Sequence, residues 1–206
     1  MNVVEVAKKE LAVNGSFYSS ATEFLYSQND WDEINTILAS KALPWEQVFI
    51  GDADELNDLA VARFMTDVER PMRVNQPLAD QMISVVCNQK LLGFVSNLLG
   101  GEEFYIRRMQ VNKMKDGSFI GKHLDVDSNP DYLYSIVLQL GKGFSGGEFL
   151  IFNDQGEQVN LIRPELQSIV ITDCSFPHQV EAVTEGERVS LVFFVSKYAE
   201  KNRRVA

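Results

Sequence analysis

Apolar residues recur at two different spacings along the chain, and the spacing changes near its middle. Before Gly100 the intervals are helical. Ile34, Ile37 and Leu38 follow an Asp30 and Glu33 pair with capping-box spacing, which predicts a helix reaching Ser40 and ended by Pro44. A second helix is expected from about Asp54 to Glu69, stopping before Pro71. The third has the clearest stripe. Leu78, Met82, Val85, Val86, Phe94, Val95, Leu98 and Leu99 line one face, Pro77 suits the first helical position and Gly100 closes it. Val3 to Val13 reads either as a short helix or as a strand entering a turn at Asn14-Gly15.

After Gly100-Gly101 short β-rich runs alternate with turn signals. Strands are expected over Phe104–Met114, Ile120–Asp125, Tyr132–Leu140, Glu148–Asn153, Gln158–Ile162, Ser168–Asp173, His178–Val183 and Arg188–Lys197. Turns fall between them at Asp116-Gly117, Asn129-Pro130, Gly141 to Gly147, Asp154 to Gly156, Arg163-Pro164 and Glu185-Gly186. About eight strands at this spacing imply an antiparallel sandwich or barrel. The helical first half then packs on one sheet as a buttress.

Composition narrows the class. A chain of 206 residues with 45% hydrophobic and 23% charged residues is ordinary globular material, long enough for a sizeable core. The net charge of −10 repels phosphate backbones, so nucleic acid is a disfavoured partner. The one basic cluster, Lys201 to Arg204, reads as a solvated tail. No apolar run reaches the length of a membrane span. Charges within Met1 to Glu10 argue against a signal peptide, so a cytoplasmic location is expected. Cys87 and Cys174 make neither a disulfide framework nor a zinc knuckle and read as buried free thiols.

The candidate chemistry sits in three short stretches. His123 and Asp125 are two residues apart, so on a strand both project from one face and reach one ion. His178, the only other histidine, opens a later strand. Two imidazoles and one carboxylate on one side of an ion leave the opposite positions open, as in the facial triad of non-haem Fe(II) oxygenases. Asp127 is the alternative carboxylate if that strand continues, though it suits a turn before Asn129-Pro130 better. Arg188 and Ser190 share a face of the last strand, and a guanidinium fork suits a carboxylate where a lysine offers only a point charge.

With His123-x-Asp125, the Gly146-Gly147-Glu148-Phe149 turn, Pro177-His178-x-Val180 and Arg188-Val189-Ser190 in this order, the chain resembles the 2-oxoglutarate- and Fe(II)-dependent oxygenases, in their prolyl 4-hydroxylase-like branch. The resemblance covers roughly Phe104 to Lys197. It implies an α+β fold with a double-stranded β-helix (a jelly-roll, cupin-like core) in the C-terminal half, buttressed by N-terminal helices. One domain over 1–206 is expected, with 1–100 mainly helical support and 101–198 the catalytic jelly roll. The resemblance also implies His123, Asp125 and His178 on Fe(II), and Arg188, with Ser190 beside it, on the far carboxylate of 2-oxoglutarate. O2 is the co-reactant and ascorbate a candidate reductant. Two positions depart from the branch. Met114 stands near one expected tyrosine and Gln139 aligns with another, where its amide could donate to the cosubstrate carboxylate.

The activity expected is hydroxylation of a carbon of a peptide or protein, with prolyl among the candidates, releasing succinate and CO2. The same chemistry on a free amino acid or small metabolite is the alternative. A non-catalytic jelly-roll metal-binding module is a third reading, but no ligand is missing. A carboxylate at position 125 disfavours halogenation. The Lys115–Phe119 and Ser128–Asp131 segments are candidate mobile loops beside the site.

Overall fold

The computed structural model describes residues 2–205, so Met1 and Ala206, the ends of the expected domain, lie outside them. The opening segment resolves to a helix, α1 (Val3–Asn14). The Asn2 side chain accepts from the Val4 amide at its start, and Gly15 takes the left-handed conformation at its end (φ 68°) before β1 (Ser16–Ser19). Helix α2 (Gln28–Leu38) begins a turn earlier than expected. Ser27 is its cap, and Asp30 is the reciprocal partner whose carboxylate accepts from the Ser27 amide at 2.6 Å.

The expected helix over Asp54–Glu69 is instead a strand. Strand β2 (Glu46–Ile50) runs antiparallel to β3 (Leu56–Asp67), and the short β4 (Pro71–Arg73) pairs with the far end of β3. The reason is two-sided burial. Leu59 and Val61 pack into the interior of the sheet sandwich while Ala62 and Phe64 pack under the helices. A helix would have buried a single stripe, so tertiary pairing overrides the local spacing. The long third helix is likewise two, α3 (Leu78–Val86) and α4 (Gln89–Leu98). The backbone leaves helical geometry at Cys87, and the Asn88 side chain accepts from the amides of Lys90 and Leu91, capping a new helix. Pro77 occupies the position before the first helical residue.

The remaining strands are β5 (Tyr105–Met114), β6 (Phe119–His123), β7 (Tyr132–Gln139), β8 (Ser145–Gly146), β9 (Phe149–Phe152), β10 (Gln158–Ile162), β11 (Ile169–Asp173), β12 (His178–Val180), β13 (Val183–Glu185) and β14 (Arg188–Ser196). One antiparallel sheet runs β1-β11-β7-β14-β5-β3-β6-β12-β9-β10, and β8 pairs separately with β13. Strand β3 pairs with β5 through residues 60–65 and with β6 through Asn57 and Asp58, so it carries the sheet from one layer of the jelly roll to the other. The first hundred residues therefore supply a central strand as well as helical support. The fold is α+β with a jelly-roll core.

Alternation along each strand divides the interior. Leu191, Phe193 and Val195 of β14 face the helices, together with Met109 and Val111 of β5 and Trp31, Ile34, Met82, Leu91 and Phe94 from α2, α3 and α4. Arg188, Ser190, Val192 and Phe194 face the other way, into the space between the layers. The basic side chains of the C-terminal tail, Lys201, Arg203 and Arg204, are exposed as expected, but the tail is also pinned. Asn202 is buried and donates to the carbonyls of Asp67 and Ser128, while Arg203 pairs with Asp131. Beneath it Arg107 and Asp67 form a fully buried pair at 2.8 Å, and Asn129 donates to the other oxygen of Asp67. These bonds also fix the Ser128–Asp131 turn, which is therefore no free loop. Among the described residues no helix is long and apolar enough to cross a membrane.

Candidate active site

Strands β6 and β12 are neighbours, and their register sets His123 directly opposite His178, with the ring centroids 4.3 Å apart. Beyond β6 the backbone stays extended through Leu124, then enters a short 3-10 turn, Asp125–Asp127. Asp125 thus leaves the strand but still points back to the histidines. Its Oδ1 lies 3.4 Å from His123 Nε2 and its Oδ2 lies 3.5 Å from His178 Nε2. Asp127 is exposed and stands outside this cluster.

The other ring nitrogens are fixed by backbone. His123 Nδ1 donates to the Gly121 carbonyl at 2.8 Å, and His178 Nδ1 donates to the Phe176 carbonyl at 2.9 Å. A carbonyl only accepts, so each Nδ1 carries hydrogen; each Nε2 faces Asp125, donating to it when protonated and free to offer a lone pair to a metal once that proton is lost. Glu55, from the loop between β2 and β3, adds a carboxylate 3.2 Å from His123 Nδ1. Burial works to lower the His123 pKa, but the hydrogen bond and charge of Asp125, with the charge of Glu55, raise it to about 9. Burial works to raise Asp125, and the imidazoles outweigh it, holding the carboxyl well below the usual carboxylate range.

This donor set fits a divalent ion. Donors about 2.1 Å from a metal and at right angles lie roughly 3.0 Å apart, and a small contraction of the observed distances reaches that. Asp125 Oδ2 is buried without a hydrogen-bond partner, so the site has an acceptor to spare. All three side chains line one cavity of about 180 Å³, which leaves one side of such an ion open to ligands.

Arg188 lines the same cavity. It is 2% exposed, and its Nη1 finds only Met114 Sδ and Ser190 Oγ, each at 3.5 Å. Its Nε has no partner, and no carboxylate pairs with it among the described residues. Burial alone lowers its pKa to about 10. A buried guanidinium with open donors suits a carboxylate ligand. Gly147 makes room for it, since a Cβ there would stand 2.8 Å from Arg188 Cδ.

Gln139 takes a different part. Its Nε2 donates to the carbonyls of Gly141 and Val189, each at 3.1 Å, and it is absent from the cavity wall that Ser135 and Val137 of the same strand form. It lies at the strand end, where the chain turns and its amide adds a side-chain donor to the Gly141 carbonyl and to a Val189 carbonyl that already accepts from the Leu140 and Gly141 amides. Both cysteines are free; Cys174 is buried, and Cys87 is half-buried as a residue although its thiol is turned inward.

Several wall residues escape sequence reasoning. Arg108, Gln110 and Asn112 of β5 face the cavity, and Arg108 pairs with Asp52 of the β2–β3 loop. Their alternation with apolar Met109 and Val111 was a usable signal of a polar interior face. Asp52 and Glu55 had none, because Asp52 read as the approach to the helix expected from Asp54 and Glu55 as part of its first turn.

Comparison with known proteins agrees with this geometry. A family model described as the 2OG-Fe(II) oxygenase superfamily matches residues 109–196. A crystal structure of an oxidoreductase of the 2OG-Fe(II) oxygenase family from Burkholderia pseudomallei is 36% identical, covers 98% of this chain and 94% of that chain, and superposes with a TM-score of 0.88. A Trichoplax adhaerens prolyl hydroxylase in complex with a hypoxia inducible factor oxygen degradation domain peptide fragment shares the fold at 13% identity, with coverage of 95% and 89% and a TM-score of 0.66. The non-heme alpha ketoglutarate dependent epimerase SnoN from nogalamycin biosynthesis shares it at 11% identity, with coverage of 94% and 80% and a TM-score of 0.69. No curated protein matches the chain.

Proposed function

The chain belongs to the 2OG-Fe(II) oxygenase family, and from that premise we propose that it hydroxylates a carbon of a peptide or protein substrate, prolyl residues among the candidates. It is an enzyme that uses Fe(II), 2-oxoglutarate and O2. We assign His123, Asp125 and His178 to the metal and Arg188, assisted by Ser190, to the far carboxylate of 2-oxoglutarate. Ascorbate remains a candidate reductant.

The observation that carries the assignment is the pairing of a three-donor cluster with a buried, unpartnered guanidinium in one cavity. When bound, iron and 2-oxoglutarate supply O2 activation, with succinate and CO2 released as the substrate carbon is hydroxylated. The chain's own residues position and exclude. The Gly121 and Phe176 carbonyls hold both imidazoles in the tautomer that offers Nε2. Arg188 fixes one end of the cosubstrate by charge and leaves its other end to the metal side. Val137, Phe149, Val180 and Val192 line the space between and keep water from the reacting groups.

The peptidyl reading draws support from the shared fold with the peptide-bound prolyl hydroxylase. The same reaction on a free amino acid or small metabolite is favoured by a different observation, the modest cavity of about 180 Å³ with a polar wall. We propose that residues 1–206 act as one catalytic domain. The test is succinate release with Fe(II), 2-oxoglutarate and a panel of proline-containing peptides and free amino acids. Succinate coupled to a single added oxygen on a peptide supports the main reading. Coupling to free amino acids alone transfers it to the second, and no turnover of 2-oxoglutarate under any condition defeats both.

A further inference from the structure

Strands β5 and β14 carry two guanidiniums into the cavity. Arg188 is opposite Met114, and Arg108 is opposite Phe194, six residues further along β14. At about 3.3 Å per residue that is roughly 20 Å along the strand pair. The Asp125 end of the cavity lies toward Phe194, since Val126, next to Asp125, packs with Cys174, Val192 and Phe194. The two guanidiniums thus stand at separate ends of the cavity, with Arg108 at the Asp125 end.

Arg108 is held in place on every side but one. Its Nε and Nη2 both donate to Gln110 Oε1, at 3.1 and 2.9 Å, and Gln110 in turn donates to Asn112 Oδ1 at 2.7 Å. The Phe194 ring lies under it, 5.8 Å from guanidinium carbon to centroid. The remaining edge, at Nη1, meets the carboxylate of Asp52. That partner is the replaceable one. Its side chain is 45% exposed against 18% for Arg108, and it sits on a loop whose next two residues, Ala53 and Asp54, take left-handed backbone angles without being glycine. Apolar Val48, Ile50, Leu59 and Val61 line the cavity wall next to this loop.

Resting on the oxygenase reading above, we infer that the substrate carries a carboxylate received by Arg108, and that Asp52 holds that place in the ligand-free chain. The pre-set guanidinium loses little freedom on binding, and exchange of one carboxylate for another leaves no buried charge unpaired. The apolar wall accepts the hydrocarbon part of the substrate. The carboxylate belongs either to a free amino acid or to a peptide, and the two sources share this chemistry.

The experiment uses the full chain loaded with Mn(II) and 2-oxoglutarate, with calorimetric titration as the readout. The probes are L-proline and L-leucine, their carboxamides, and proline-containing tripeptides with free or amidated C-termini. Carboxylates are expected to bind at least about tenfold more tightly than their amide twins, as for a charge-assisted hydrogen bond. Arg108→Gln is expected to abolish that preference while 2-oxoglutarate still binds, and Asp52→Asn to strengthen carboxylate binding by removing the competitor. Free acids and tripeptides report which source applies. A panel in which no carboxylate outbinds its amide twin overturns the inference, as does an Arg108→Gln variant that keeps the preference. Loss of 2-oxoglutarate binding by the parent protein would instead strike the oxygenase reading itself.

Discussion

His123 and His178 are cross-strand partners on β6 and β12, and this single register brings two residues 55 positions apart to a centroid distance of 4.3 Å. A one-residue slip of either strand would turn one imidazole to the opposite face. The metal prediction follows from it. His123→Ala, His178→Ala and Asp125→Ala should each weaken Mn(II) or Fe(II) by more than the roughly 10–100-fold that loss of an outer-shell partner causes. Asp127→Ala, at an exposed position, should bind metal as the parent does. Calorimetric titration checks both, and metal loss confined to Asp127→Ala would overturn the assignment.

Arg188 should be costly to the ligand-free protein and valuable to the loaded one. Arg188→Met removes a buried charge that has no carboxylate partner. Its ligand-free form should therefore be at least as stable as the parent in urea, since an unpaired buried charge is unfavourable. Its 2-oxoglutarate affinity should fall by about 1.5–3 kcal/mol, with metal affinity unchanged. A marked loss of ligand-free stability would make the guanidinium structural.

Gly147→Ala should reach Arg188 indirectly. Gly147 has φ 67°, and an added Cβ would come 2.8 Å from Arg188 Cδ. The left-handed backbone costs about 1–2 kcal/mol with a side chain present. Lower stability together with weaker 2-oxoglutarate binding is expected, while unchanged cosubstrate affinity would mean that the guanidinium moves freely.

The buried Arg107 and Asp67 pair should behave as a structural clamp. Asp67→Ala leaves Arg107 charged and enclosed, and frees Asn129 and the turn that follows Asp125. Breaking such a pair typically costs about 3–5 kcal/mol. Urea denaturation measures it, and a loss below about 1 kcal/mol would show that water replaces the carboxylate.

Burial pushes the Cys87 thiol up to about 12 from its ordinary value of 9.0. Between these values the unfolded chain binds fewer protons than the folded one. The contribution of this group to stability is therefore complete below pH 9 and is lost as pH rises toward 12. Alkylation of the native protein by iodoacetamide at pH 8 should accordingly be slow at Cys87, and fast in urea. Rapid native labelling, read by mass spectrometry, would contradict the burial.

What the sequence determined was local. The β-rich half is legible because alternation at two residues sets which side chains share a face, and that rule already places Arg188 with Ser190 and separates Phe193 from Phe194. His123, Asp125, His178 and Arg188 were visible as residue types in a recognisable order, with only two histidines to choose from. What needed the tertiary structure was every decision made by a partner distant in sequence. Residues 56–67 have spacing that a helix could use, but two sheet neighbours and two apolar layers make them a strand. Gln139 lies at a strand end where two backbone carbonyls claim its amide, so its type alone could not assign it to the pocket. Asp52 meets Arg108, and Glu55 meets His123, only because β3 carries the chain from one layer to the other. Periodicity reports which way a side chain faces, and pairing across the sheet decides what it meets there.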